Sequence, residues 1–309
     1  MPKIRAAVCH EFGKPLVLEE VMLREPAAGE LEVTIRACAI CHSDISAMDG
    51  DWGGHLPAVY GHEAAGVITG IGADVSTYKI GDTVLVTLIR SCGHCVSCCS
   101  GKPTCCETRY DTVSGPLKTI DGKPMEQGLA TGAFAEKVVV DQSQIQHIPE
   151  NISMTSASLL ACGVITGIGA VTNTAKVTAG ATVAVIGAGG VGLNAIQGSV
   201  ISGASKIIAI DVTEEKLKVA KEFGATDVVL TSDDKPHRIV KKMTGGRGVD
   251  YVFVTVGSIP AYESASRFLN VGGKVVMVGM PPSGAKIAIE PVILASTSQS
   301  FLGSYMGSA

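Results

Sequence analysis

The chain has 309 residues, 46% of them hydrophobic and 17% charged, with a formal net charge of −4. That length suggests about two domains with sizeable cores. The composition excludes an intrinsically disordered chain and leaves no basic footprint for nucleic acid. The N-terminus, MPKIRAAVCHEFGKP, has no apolar segment of the kind a secretory signal needs. The most apolar stretch, Thr182 to Ile210, is broken by glycines and a lysine, which reads as buried strand, helix and strand. A soluble, cytoplasmic protein with reduced thiols and no membrane span is expected.

In chain order, the first half reads as β-rich. Alternating or β-branched runs at Leu31–Ala37, Ala64–Ile71, Thr83–Leu88 and Ala135–Val140 predict strands, separated by turns such as Ile80-Gly81-Asp82. Between the last two lies a run from Cys92 to Cys106 that holds six of the ten cysteines. Thiolates at i, i+3 and i+6, with a fourth eight residues on, can close a tetrahedral shell around zinc. In a chain of this size without a secretion signal, metal binding outweighs disulfides. Two doublets leave a choice between Cys98 and Cys99, and between Cys105 and Cys106; the favoured set is Cys92, Cys95, Cys98 and Cys106. A four-thiolate shell has no open position, so this zinc is expected to be structural.

From about Gly163 the pattern changes. Apolar strands at Thr182–Ile186, Lys206–Ile210, Asp227–Leu230, Tyr251–Val256 and Gly273–Val278 alternate with helical segments such as Glu214–Phe223 and Ala261–Phe268. That alternation predicts βαβ units and a parallel sheet. The boundary falls near Cys162 to Gly169, giving domains 1–162 and 163–309. Thr213, followed by Glu214, Glu215 and Lys216, reads as a helix start with a hydroxyl cap and acid in the first turn. A late strand over Val292–Leu302 is expected, placed to pair between subunits.

The segment Gly187-Ala188-Gly189-Gly190-Val191-Gly192 follows one predicted strand and opens a helical stretch. In that context the first glycine permits a tight turn and the second lets backbone approach a pyrophosphate. The third allows close helix packing, and the helix N-terminus stabilises the anion. The next strand ends at Asp211, nineteen residues after Gly192. A carboxylate there accepts hydrogen bonds from the adenosine ribose and repels a 2′-phosphate, so NAD is expected over NADP. Away from the cysteine lobe, Cys41, His62 and Cys162 suit a second zinc, with a Cys₂His set leaving a fourth position open. Isolated Cys and His are as often merely packed, so spacing alone leaves both readings open.

Taken together, Cys41-His42-Ser43-Asp44, Gly61-His62-Glu63-Ala64-Ala65-Gly66, the cysteine lobe, Cys162-Gly163-Val164-Ile165-Thr166-Gly167, the glycine fingerprint and Asp211 resemble the zinc-containing alcohol dehydrogenases of the medium-chain dehydrogenase/reductase superfamily. The resemblance implies an α/β protein, a β-rich GroES-like catalytic domain followed by a Rossmann doubly wound parallel sheet. It implies two zinc ions per chain, the catalytic one on Cys41, His62 and Cys162. Glu63 corresponds to the acid that can approach the metal, Asp44 to the carboxylate that orients the histidine, and Ser43 to the hydroxyl that takes the alcohol proton. Thr166 is expected beside the nicotinamide, His42 near the cofactor phosphates, and Lys216 with Gly187, Gly189, Gly190, Val191, Gly192 and Asp211 in the NAD-binding set. Gly50-Asp51-Trp52 resembles the yeast-type enzymes, in which the tryptophan lines the substrate pocket.

The chain departs from the family twice. Ser46 stands where members with a complete proton relay carry histidine, and members continue for several dozen residues, so the chain resembles a C-terminally truncated product. The implied activity is NAD-dependent, zinc-assisted, reversible oxidation of alcohols to aldehydes or ketones by hydride transfer. Alternatives are a polyol or hydroxymethyl-thiol dehydrogenase of the same superfamily, in which the loop Glu107–Gly132 carries other substrate contacts, and a non-catalytic zinc- and dinucleotide-binding fragment. A small-molecule alcohol or aldehyde is the expected partner, in a homo-oligomer (dimer or tetramer) without nucleic acid or membrane.

Overall fold

The computed structural model describes residues 1–231 and 235–309. They form two units, Met1–Cys162 and Gly163–Ala309.

The first unit is built on β1 (Lys3–Cys9), β2 (Val17–Leu23), β3 (Glu30–Ala39), β4 (Ala58–Val59), β5 (Glu63–Ile71), β6 (Thr83–Val86), β7 (Leu117–Lys118), β8 (Glu126–Gln127), β9 (Lys137–Asp141) and β10 (Ile145–His147). They make two five-stranded sheets, β7-β2-β1-β4-β8 and β10-β6-β5-β3-β9. Val, Ile and Leu on the inner faces supply the cores. Leu31, Val33, Ile68, Val84, Val86, Val138 and Val140 pack in one, and Ile4, Val8, Val21, Leu23 and Met125 in another. Strands β3 and β5 approach closely at Gly66, where an added Cβ would lie 2.2 Å from the Thr34 carbonyl oxygen. Helix α1 (His42–Asp49) follows β3 directly and stops at Gly50, whose φ of 83° is left-handed. Helix α2 (Val96–Cys99) lies in the cysteine lobe, and α3 (Met154–Leu159) leads into a π turn over Leu160–Val164.

The second unit begins with α4 (Ile165–Gly169). It continues through β11 (Thr182–Ile186), α5 (Gly190–Ile201), β12 (Lys206–Asp211), α6 (Glu214–Glu222), β13 (Asp227–Leu230), α7 (Pro236–Met243), β14 (Val249–Val254), α8 (Ile259–Ala265), β15 (Leu269–Met277), α9 (Pro291–Thr297) and β16 (Ser300–Gly303). The six strands are parallel, in the order β13-β12-β11-β14-β15-β16. Their near-continuous apolar runs are explained by burial on both faces. Val183, Val185, Ile207 and Phe253 pack with Ile196 of α5 and Leu217 of α6, and Ala184, Ile186, Ile208 and Val252 pack with Val240 of α7 and Tyr262 of α8. Helices on both sides of a parallel sheet in this order make a doubly wound, Rossmann-type fold.

Three local expectations are corrected. The run Val292–Leu302 is not one strand: Pro291 starts α9, and Ser298 ends it in a left-handed conformation with φ of 53°. Proline presets φ for the first helical position, and Val-Ile-Leu-Ala lacks the polar alternation of a half-buried strand. Only Ser300–Gly303 is extended, as the edge of the sheet. The Thr213 hydroxyl does not cap α6; Asp211 Oδ1 accepts the Thr213 N–H at 3.0 Å instead. The predicted helix Ala261–Phe268 starts earlier, capped by Ser258, and tightens to a 3₁₀ turn over Ser266–Phe268.

The stretch Thr182 to Ile210 divides into β11, α5 and β12. Among the described residues, the helical run Met154–Ala175 has the length and mean hydropathy, 1.7, of a membrane span, and half of its most apolar window is buried within the protein.

Phe253 is fully buried in the second unit. Phe253→Ala should destabilise that unit by about 3–5 kcal/mol in urea unfolding; a loss below ~1 kcal/mol would contradict this packing.

Candidate metal and dinucleotide sites

Three separate pieces of the first unit bring metal-binding atoms together. Cys41 is the N-cap of α1, with an extended φ of −93°, and His62 and Glu63 stand at the start of β5. Cys162 sits in the π turn, a distortion that redirects side chains and is frequent at functional sites. The ligand atoms of Cys41, His62, Glu63 and Cys162 all lie within 4.8 Å of one another. His62 is fully buried, and Glu63 and Cys162 nearly so.

The orientation of His62 is set by Asp44, which is also fully buried. Asp44 Oδ1 lies 2.9 Å from His62 Nδ1 and accepts the Gly61 N–H at 3.0 Å; Oδ2 accepts the Cys41 N–H at 3.0 Å. With Asp44 Oδ1 as its acceptor, Nδ1 keeps the proton when the ring is neutral, and Nε2 then presents its lone pair. Nε2 is buried without a hydrogen-bond partner among the described residues. A buried unsatisfied nitrogen costs roughly 1–3 kcal/mol, and here it adjoins two sulfurs and a carboxyl. That donor set suits zinc.

The protonation pattern agrees. Cys41 is pushed down to about 3, first by its hydrogen bond with Cys162 and then, against burial, by His62. Burial opposes a charged His62, but the hydrogen bond to Asp44 and the nearby Cys41 sulfur outweigh it and lift the ring to about 10. Glu63 is raised to about 8 by burial and by the Cys41 charge. Without a metal, the cluster holds a proton on His62 to balance a thiolate. A bound cation takes the place of that charge, so metal uptake releases protons.

In the cysteine lobe, the sulfurs of Cys92, Cys95, Cys98 and Cys106 also lie within 4.8 Å of one another. Backbone N–H groups point at three of them: Cys95 N at Cys92 Sγ (3.3 Å), Cys98 N at Cys95 Sγ (3.4 Å) and Cys92 N at Cys106 Sγ (3.3 Å). Cys99 and Cys105 are exposed on the outside. Cys92 is lowered to about 5, chiefly by a hydrogen bond from Thr108, whereas desolvation and neighbouring sulfurs push Cys98 up to about 12. Like charges keep the four thiols from ionising together; a cation removes that conflict.

The glycine fingerprint joins β11 to α5. Gly187 has φ of 98°, and an added Cβ would lie 2.5 Å from Val256 Cγ1. A Cβ at Gly192 would lie 1.8 Å from the Gly187 carbonyl oxygen, so the third glycine is packed against the turn itself. Gly189 and Gly190, between them, face open space at the exposed N-terminus of α5, where an anion meets backbone N–H groups. Asp211 ends β12 nearly buried; its Oδ2 accepts the Ala188 N–H at 2.7 Å, inside the glycine turn. Thr255, just past β14, donates to the carbonyls of Ile186 and Gly187 at 3.0 and 2.8 Å. Its place at the carboxyl end of a parallel strand was the available sequence signal for it.

The remaining predicted residues fall as follows. Ser43 is half-buried in the first turn of α1, and its N–H faces the Cys41 sulfur; His42 beside it is exposed. Ser46 is buried in the same helix. Trp52 is half-buried against Cys9, Ala47, Ala58 and Tyr60. In the second unit the Thr166 hydroxyl faces Met306 Sδ at 3.7 Å, and Lys216 is exposed on α6.

A β-rich unit followed by a doubly wound sheet, with two clusters of zinc-type donors, is an arrangement suited to the class of zinc-binding oxidoreductases. Residues 27–150 match the alcohol dehydrogenase GroES-like domain family, and residues 190–309 match the zinc-binding dehydrogenase family. The chain is similar to an alcohol dehydrogenase zinc-binding domain protein from Burkholderia ambifaria, at 30% identity over 100% of this chain and 85% of that one (TM-score 0.93). It is similar to benzyl alcohol dehydrogenase from Acinetobacter calcoaceticus, at 30% identity over 100% and 86% (TM-score 0.92). A zinc-binding dehydrogenase from Sinorhizobium meliloti, bound to NADP, matches at 26% identity over 99% and 85% (TM-score 0.82). The chain belongs to the alcohol dehydrogenase family of the medium-chain dehydrogenase/reductase superfamily.

The two clusters predict about two zinc ions per chain by elemental analysis. Cys98→Ser should leave one, and Cys99→Ser should leave two. Equal loss from both variants would contradict the inward assignment of Cys98.

Proposed function

We propose that the protein is a zinc-dependent alcohol dehydrogenase that oxidises alcohols reversibly to aldehydes or ketones with NAD. The observation that carries this reading is the convergence of Cys41, Cys162 and the unpartnered Nε2 of His62 on one point. Three protein ligands leave a fourth position, the mark of a catalytic rather than a structural zinc.

Cys41, His62 and Cys162 would hold the metal, with Glu63 near enough to exchange with them. When bound, zinc supplies Lewis-acid polarisation of the substrate oxygen, and the dinucleotide accepts the hydride. Asp44 holds His62 in the ligating tautomer throughout. The Ser43 hydroxyl would accept the substrate hydroxyl proton as it releases its own to water, since Ser46 stands in place of a relay histidine. Gly189 and Gly190 leave room for the pyrophosphate at the start of α5. The Asp211 carboxylate keeps negative charge where a 2′-phosphate would lie, which favours NAD. The same reading takes the chain as a homo-oligomer, with the exposed edge of β16 as the strand that pairs.

NADH formation with a panel of primary, secondary and benzylic alcohols tests the activity. Cys41→Ala should lower kcat/KM by more than the 10–100-fold typical of changes outside the ligand shell; full activity in that variant would sink the catalytic-zinc assignment. Asp211→Asn keeps an acceptor for the Ala188 N–H but removes the charge. It should shift the ratio of NAD to NADP efficiency at least ~10-fold toward NADP, as losing a hydrogen bond to a charged group at about 1.5–3 kcal/mol implies. An unchanged ratio would refute the role given to Asp211.

A further inference from the structure

One metal-binding residue stands apart from the rest. Cys41 and His62 are both fixed through Asp44, but Cys162 arrives on a separate helical run 100 residues further along the chain. A π turn interrupts the regular i→i−4 hydrogen-bond ladder of the helix, so on its own it is a weak platform for a ligand. The turn over Leu160–Val164 is nevertheless held from outside. The Thr87 hydroxyl donates to the Ala161 carbonyl at 2.7 Å, on the peptide unit that links Ala161 to Cys162.

Thr87 is itself well anchored. It follows β6 directly, and its neighbour Val86 pairs with Ala64, two residues after His62. Its own peptide groups are held by Gln144, which is fully buried. The Thr87 N–H donates to the Gln144 carbonyl at 2.9 Å, and Gln144 Nε2 donates to the Thr87 carbonyl at 3.0 Å. The same Nε2 donates to the Ala130 carbonyl at 2.9 Å, pinning a loop in which Leu129 and Ala130 both have positive φ. Consecutive non-glycine residues in that region persist only where their surroundings hold them. That loop runs on to Ala133, whose N–H donates to the Gly61 carbonyl at 2.8 Å, beside His62. A polar chain therefore joins the turn beside His62 to the turn carrying Cys162.

We propose that Thr87 is a positioning residue for the metal site: its hydroxyl fixes the Ala161–Cys162 peptide and thereby aims the Cys162 sulfur at the point shared with Cys41 and His62. The inference rests on the reading of those three residues as a metal site, and the test separates the two. Wild-type protein, Thr87→Val and Thr87→Ser are loaded with zinc or with cobalt. Thr87→Val keeps the shape and removes the donor, and Thr87→Ser keeps the donor. Release of the metals to a chromophoric pyridylazo chelator is followed, together with the cobalt–thiolate absorption.

Two metals are expected in the wild type, one of them held by the Cys92–Cys106 lobe. Thr87→Val should release the other about tenfold faster, within the range for groups that orient ligands, and should shift the cobalt–thiolate band. Its lobe metal should stay at the wild-type rate, and Thr87→Ser should restore both properties. Wild-type release and an unchanged band in Thr87→Val would overturn the positioning role and leave the site reading intact. A wild type that binds metal only in the lobe would overturn both. Should Thr87→Val fail to fold, Thr87→Ala is read in the same way. A Thr87→Ser variant as loose as Thr87→Ala would also overturn the proposal, since the hydroxyl alone would then not account for the effect.

Discussion

The first unit depends on one buried carboxylate. Asp44 has no exposure to solvent, and an ionised carboxylate is costly to bury unless its lone pairs are met. They are met by the N–H of Cys41, the N–H of Gly61 and Nδ1 of His62. Those partners lie at the head of α1, in the turn before β5 and on the ring itself. One side chain therefore fixes where a helix starts, where a strand starts and which way the imidazole faces. Gly61 completes the arrangement: its φ is 92°, and a Cβ there would lie 2.6 Å from the Phe134 backbone nitrogen. The site is rigid because the groups that define it also satisfy the backbone around it.

The second unit uses the same device. Asp211 ends a central strand, is nearly buried, and accepts N–H groups from Ala188 in the glycine turn and Thr213 at the head of α6. With Thr255 binding the carbonyls of Ile186 and Gly187, the turn is held on both sides. Asp211 is thus more than an acid at a strand end: it braces the glycine turn against the head of α6. In both units a carboxylate held by backbone N–H groups is what turns a loop into a fixed receptor.

Features written in local spacing were legible in the sequence. The parallel sheet could be read from apolar runs separated by helical segments, because two-sided burial leaves no polar alternation to obscure them. The cysteine lobe and the glycine fingerprint are short enough for spacing to constrain geometry. Cys41, His62 and Cys162 are not: spacing left them undecided, and only the fold brings their donor atoms within 4.8 Å. The π turn under Cys162 and the Thr87–Gln144 bridge have no local signature, since each exists only through contacts between distant segments. The segment after Pro291 shows the opposite failure. Its apolar run suggested a strand, but a proline at the first position and weak burial made it a short helix with only the last residues extended.

Asp44 holds His62 so that Nε2 is turned toward the Cys41 and Cys162 sulfurs. Nitrogen-15 NMR of the imidazole in the zinc-loaded protein reads this directly. His62 should carry its proton on Nδ1, with Nε2 showing the shift of a metal-bound nitrogen that the Asp44→Asn variant weakens. A proton found on Nε2 in the zinc-loaded protein would contradict it.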